Sequence, residues 1–175
     1  MEKENVYRIP LSGLALGDQA YHFDVKDDFF EGMDYSEIQH GNISVDVTVS
    51  KNERMVTFHF IIKGTVRVIC DRCADEFDLP ISNEEDFFVK FGTEAAEESD
   101  NVVVVPAEQH DYDIRSLIYE YIILSIPFHR VHPEGECNPD VMQMINSQEA
   151  PAAEEAEPET DPRWAALKDI KLEDK

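Results

Sequence analysis

Basic residues are scarce in this chain: 15 lysines and arginines face 38 aspartates and glutamates, a formal charge of −23 over 175 residues. Nucleic-acid affinity comes largely from cationic side chains that displace counterions, so wrapping around a polyphosphate is disfavoured. Such acidity suits solubility and attraction to basic proteins. Long apolar runs are missing too. None approaches the roughly 20 residues that a spanning helix requires, and no membrane segment is expected. The opening residues do not read as a basic-then-apolar leader. Cysteine is sparse and odd in number, at 3, which argues against a secreted disulfide framework. A soluble protein of a reducing compartment, the cytoplasm, is expected. The chain has no Gly-rich phosphate loop, nucleophile elbow or metalloprotease helix. Its carboxylates are too abundant for any pair to be read as an acid/base couple. Neither an enzyme nor a small-molecule substrate is expected.

What is present supports one domain with tails. A hydrophobic content of 42% is enough for a core, and at this length roughly two-thirds of the unfolded surface can be buried. The stretches 5–11 and 20–25 alternate as strands, and 26–34 is spaced for a helical turn. Ile43, Val45, Val47 and Val49 alternate with polar residues, the signature of a half-buried strand. After a polar turn, Val56, Phe58, Phe60, Ile62, Val66, Val68 and Cys70 share one face. So long a series predicts a bend or bulge at Gly64. Phe77, Leu79 and Ile81 resume the alternation, with Pro80 marking an edge or a strand end. Phe87 to Phe91 and Val102 to Val105 follow as strands.

Asp113 reads as the N-cap of a helix that carries Ile114, Leu117, Ile118, Tyr121 and Ile122 on one face and stops before Pro127. The expected fold is α+β, a mostly antiparallel, strongly bent sheet or partial barrel packed against this one main amphipathic helix. Residues 1–133 form the globular domain. Residues 134–160 read as a disordered acidic linker, and 161–175 as a short C-terminal helical motif and tail.

Cys70-Asp71-Arg72-Cys73 stands at the corner between two strand patterns. Two residues between thiolates let both reach one tetrahedral ion, and zinc is the cofactor that such a pair would take. His132 and Cys137, with four residues between them in the loop after the helix, are the matching further ligands. The alternative is a pair of reduced thiols, Cys70 packed as a small apolar group and Cys73 in the turn. A thioredoxin-like role fits poorly, because that motif precedes a helix and this one lies between strands. His22, His40, His59, His110 and His129 show no ligand spacing. Lys63, Arg67 and Arg72, with Lys90 and Arg130, are candidates for a basic patch touching RNA phosphate locally, or for pairing with neighbouring acids. Asp161-Pro162-Arg163-Trp164 reads as an N-cap, a proline at the first helical position and a short helix. These four residues would serve either as a packed strap or as a partner-binding motif.

The corner Val68-Ile69-Cys70-Asp71-Arg72-Cys73-Ala74-Asp75-Glu76-Phe77 resembles the C-x-R-C signature of the YceD family, the large ribosomal RNA subunit accumulation proteins. The helix from Asp113 to Pro127 resembles that family's second signature, and Asp161-Pro162-Arg163-Trp164-Ala165-Ala166-Leu167 is similar to its C-terminal motif. The likeness runs from about Gly41 onward. It implies a role in synthesis, processing or accumulation of large-subunit ribosomal RNA, with no settled catalytic chemistry. Relatives carry several cysteines after the proline stop; here Cys137 is retained and His132 stands where an early cysteine would be expected. With the charge balance, the resemblance makes a ribosomal protein or assembly factor the expected partner, and ribosomal RNA a contact only within a ribonucleoprotein. The alternative is a zinc-stabilised interaction or regulatory module unrelated to ribosomes.

Overall fold

The computed structural model describes residues 6–148 apart from 34, 54 and 94. The chain divides into a first unit ending at Cys137 and a second beginning at Asn138. In the first unit, strands β2 (Gly17–Val25), β3 (Gly41–Lys51), β4 (Met55–Ile69), β5 (Glu76–Gly92), β6 (Ala96–Ser99) and β7 (Val102–Pro106) form one sheet in the order β2-β3-β4-β5-β7-β6. All neighbours are antiparallel except β5 and β7. The sheet is open, with β2 and β6 at its edges, and is not closed into a barrel. A separate ribbon pairs β1 (Arg8–Pro10) with β8 (Asp111–Asp113).

Alternation sets which face is buried. Val45, Val47, Val49, Phe58, Phe60 and Ile62 are almost wholly inaccessible, and Ile114, Ile118 and Ile122 cover them. Ile118 and Ile122 belong to the face of α2 (Arg115–Leu124) anticipated by its periodicity, and Ile114 is the N-cap of that helix. The Tyr121 and Phe60 rings meet edge-to-face at 5.2 Å, and Asn83 Nδ2 donates to the Tyr121 carbonyl at 3.2 Å, joining α2 to β5. Asp113, expected as the N-cap, stands one residue before it, the N-cap being Ile114. It ends β8, and its Oδ1 accepts from the Arg115 N–H at 2.9 Å. The single-turn helix α1 (Asp27–Phe30) buries Phe29 and Phe30, and Arg115 Nη2 reaches the Phe29 carbonyl at 3.0 Å.

Two long strands replace the interrupted ones expected around the corner. β4 runs through Gly64 without a bulge, pairing Gly64 with Ile43 on one side and Ile81 on the other. The glycine serves close approach instead. A Cβ there would overlap the Asn42 carbonyl oxygen and lie 2.6 Å from Ile43 Cα. β5 likewise runs unbroken through Pro80. Its second neighbour, β7, begins pairing only at Phe88, so Pro80 stands where β5 has β4 alone beside it. β5 and β4 therefore extend together to the cysteine corner.

In the second unit α3 (Pro139–Gln148) occupies part of the stretch 134–160 that composition marked as a disordered linker. The reason is local. Asn138 Oδ1 accepts from the Asp140 N–H at 3.1 Å, Pro139 starts the helix, and Asp140 lies in its first turn. Cys137, placed beyond the domain boundary at 133, belongs to the first unit. The motif 161–164 and the rest of the tail lie outside the described residues.

Gly64→Ala should destabilise the protein by about 1–3 kcal/mol, because the added methyl meets backbone that cannot rotate away. Urea unfolding would show this as a lower midpoint with an unchanged slope. An unchanged midpoint would mean that β3 shifts freely.

Candidate metal centre

The corner is built by a tight turn. The Ala74 N–H donates to the Cys70 carbonyl at 2.9 Å, the Cys70 N–H donates to the Asp75 carbonyl at 2.9 Å, and Ala74 takes a positive φ of 61°. This curl brings Cys70 and Cys73 to the same side, both buried. The chain after α2 then crosses the corner. The Asp71 N–H donates to the Arg130 carbonyl at 2.7 Å, and the Arg130 N–H donates back to Asp71 Oδ2 at 2.7 Å. Their side chains add an ion pair at 3.8 Å. Two residues further on, His132 lies against Phe77, ring centroids 4.4 Å apart, which orients the imidazole.

The four ligand atoms of Cys70, Cys73, His132 and Cys137 all lie within 4.8 Å of one another. Cys73 Sγ and His132 Nδ1 are 3.4 Å apart, Cys70 Sγ and Cys137 Sγ 4.0 Å, and Cys137 Sγ and His132 Nδ1 4.0 Å. Around a tetrahedral zinc with ordinary bond lengths, such pairs would stand about 3.5–3.8 Å apart. The donor set fits zinc in kind, number and spacing. Four protein ligands would close the coordination sphere, as a structural ion requires, whereas catalytic zinc keeps an open position.

The local electrostatics suit thiolates. Burial pushes the Cys70 thiol up. Hydrogen bonds from the Cys73, His132 and Arg72 backbone and from the His132 side chain outweigh it, bringing Cys70 down to about 5. One such donor is the Arg72 N–H, 3.4 Å from Cys70 Sγ. Cys137 moves the other way, raised by burial and by the neighbouring thiols. In the absence of an ion, one thiolate thus disfavours the next. A divalent cation would remove that conflict by taking all three deprotonated.

Of the candidate cations, Arg67 and Arg130 line one cleft, but each is paired with an acid. Arg72 sends its guanidinium to within 4.0 Å of Cys137 Sγ, where it offsets thiolate charge. Arg67 is held by Asp78, Nε to Oδ1 at 3.0 Å and Nη2 to Oδ2 at 3.1 Å. Lys63 is exposed on the same strand face, opposite Ser44 and Ser82. Three histidines are satisfied by acids: His22 by Asp46, His40 by Asp27 and His59 by Asp86. Sequence reasoning did not assign Asp71 or Phe77 to the site. Asp71 lies inside the C-x-x-C, but nothing local shows that it holds the crossing loop. Phe77 reads as an ordinary strand residue.

The matched family is the large ribosomal RNA subunit accumulation protein YceD, whose model covers residues 58–171. That span is more than half of the chain, so the protein belongs to this family. The match begins inside β4 and includes all four clustered ligands. No curated protein and no solved structure shows a significant match to the chain.

The Arg67–Asp78 pair makes a testable statement about pH. Hydrogen bonding from Arg67 holds the Asp78 carboxyl below its ordinary 3.8. The stability this pairing contributes is present above that value and is lost as pH falls through the lower folded one. The stability difference between wild type and Arg67→Ala, read by urea unfolding, should be constant over about pH 5–7 and shrink below about pH 4. A difference that grows in acid would show that Arg67 does not act through Asp78.

Proposed function

We propose that this protein is a non-enzymatic factor supporting accumulation of large-subunit ribosomal RNA in the cytoplasm, acting through a ribosomal protein or assembly factor. The observation that carries this reading is the coincidence of the family match with the three-cysteine, one-histidine cluster. A factor that holds a partner needs a shaped, rigid surface, and the corner supplies one where a strand pair ends and the post-helix loop crosses it. Cys70, Cys73, His132 and Cys137 would hold zinc, which would cross-link two segments about sixty residues apart in sequence. Structural zinc contributes on the order of 10 kcal/mol of apparent binding energy. An ion here would make the corner and the loop one body. Protein-first contact follows from the charge: with −23 spread over the chain, a basic polypeptide is attracted and naked RNA repelled. RNA contact within a ribonucleoprotein then falls to the few cations that acids leave available, Lys63 among them. The motif Asp161-Pro162-Arg163-Trp164 is proposed as a second partner contact on the strength of the family likeness alone.

Depletion of the protein from cells should lower the ratio of large- to small-subunit ribosomal RNA, with a matching loss of large subunits on gradients. Wild-type protein should restore it, and Cys70→Ser/Cys73→Ser should restore it poorly. An unchanged ratio on depletion would contradict the proposal. Full rescue by the double variant would remove the metal corner from it.

A further inference from the structure

We propose that the cleft beside the cysteine corner docks a basic protein segment that inserts apolar side chains, an assignment that rests on the ribosomal reading for its cellular setting. The cleft, about 540 Å³, lies between the end of β4, residues 37–40 and the turn that follows α2. Its apolar lining includes Ile69, Ile123, Ile126 and Phe128. Ile69 is 57% exposed and Phe128 92% exposed. Ile69 shares its strand face with Lys63 and Arg67, so burial in the sheet core does not explain a large aliphatic side chain there. Phe128 follows Pro127, and its ring meets that of the neighbouring His129 edge-on at 5.1 Å. Large apolar groups clustered around one concavity mark an interaction surface, where solitary exposed residues would not.

The rim decides what kind of partner fits. Its two arginines are neutralised, Arg67 by Asp78 and Arg130 by Asp71, and His40 is held by Asp27 at 3.0 Å. Glu37 and Glu76 are exposed on the same rim. The cleft therefore presents carboxylate around an apolar floor. Phosphate would be repelled, and few uncommitted polar groups converge to orient a small ligand. A polypeptide with lysine or arginine flanking an aliphatic or aromatic anchor matches both features. The adjoining metal corner would stiffen one wall, since Ile69 directly precedes Cys70.

The test uses the full chain with photo-reactive benzoylphenylalanine in place of Phe128, and a control with the same group replacing Ala20, exposed on β2. Each is irradiated with RNA-free proteins extracted from the large ribosomal subunit, and separately with a large-subunit ribosomal RNA transcript. The expected result is cross-linking to basic polypeptides from position 128 and not from position 20. Ile69→Ser, and separately Glu37→Lys/Glu76→Lys, should each cut the yield about tenfold, as loss of an anchor or of rim charge does at such interfaces. Both sets of positions are exposed, and unchanged melting confirms that each variant folds; Ile69→Leu, which keeps the apolar anchor, should retain the cross-link. Cross-linking to the RNA, cross-linking within the chain itself, no cross-link, or equal yield in the variants would overturn the docking site. Those outcomes leave the ribosomal reading intact if depletion still lowers the large-subunit ratio, whereas an unchanged ratio overturns that reading first.

Discussion

The reciprocal hydrogen bonds between Asp71 and Arg130 decide where the chain after α2 must lie. They tie the loop carrying His132 and Cys137 across the end of β4 and β5. With them, His132 reaches Phe77 and all four candidate ligands close to within 4.8 Å. The arrangement is a convergence of two distant segments, one a tight turn and the other irregular. Convergence of that kind carries a chain-entropy cost that a few exposed hydrogen bonds offset only weakly. A shared ion is the physical means by which small domains hold such loops. The depressed Cys70 thiol and the raised Cys137 thiol point the same way: neighbouring thiolates disfavour one another, and a shared cation would relieve that conflict.

The cleft depends on the same constraint. Its walls come from the last residues of β4 and from the turn between α2 and Arg130, the two segments that the corner joins. Loosening the crossing loop would open the cleft from one side. A zinc centre and a docking surface would thus be one device, with the ion setting the shape that the partner meets. The acidic surface would then select the sign of that partner, and the exposed Ile69 and Phe128 would supply its anchor points.

Much of this was legible from patterning, and the misses are informative. The alternation in β3 and β4 and the buried face of α2 follow from period alone, because one-sided burial leaves a direct trace in sequence. Of the bend or bulge expected at Gly64, the bulge is absent, since pairing runs through it on both sides. Hydrophobic spacing records which side chains are buried, but not that the neighbouring backbone at Asn42 and Ile43 comes too close for a methyl group. The parallel pairing of β5 with β7 was equally invisible, being set by a non-local connection. α3 was obscured by reading composition over a long window, while Asn138-Pro139-Asp140 carried a local start signal. At the site, the C-x-x-C spacing and the His132–Cys137 pair were readable as a candidate ligand set, and these four residues do come together. Asp71, which fixes the loop, was not readable, because its partner lies fifty-nine residues away. The basic patch dissolved into an Arg67–Asp78 pair and an Arg72–Cys137 contact, the ordinary fate of cations in a chain this rich in acids.

X-ray absorption at the zinc edge, on protein purified from zinc-replete cells, tests the central claim most directly. The account predicts one zinc per chain, with a first shell of three sulfurs at about 2.3 Å and one imidazole nitrogen at about 2.0–2.1 Å. Substoichiometric zinc, or a shell dominated by oxygen and nitrogen, would contradict it. The four residues would then be a hydrogen-bonded cluster of thiols and imidazole, holding the corner together with Asp71 and Arg130.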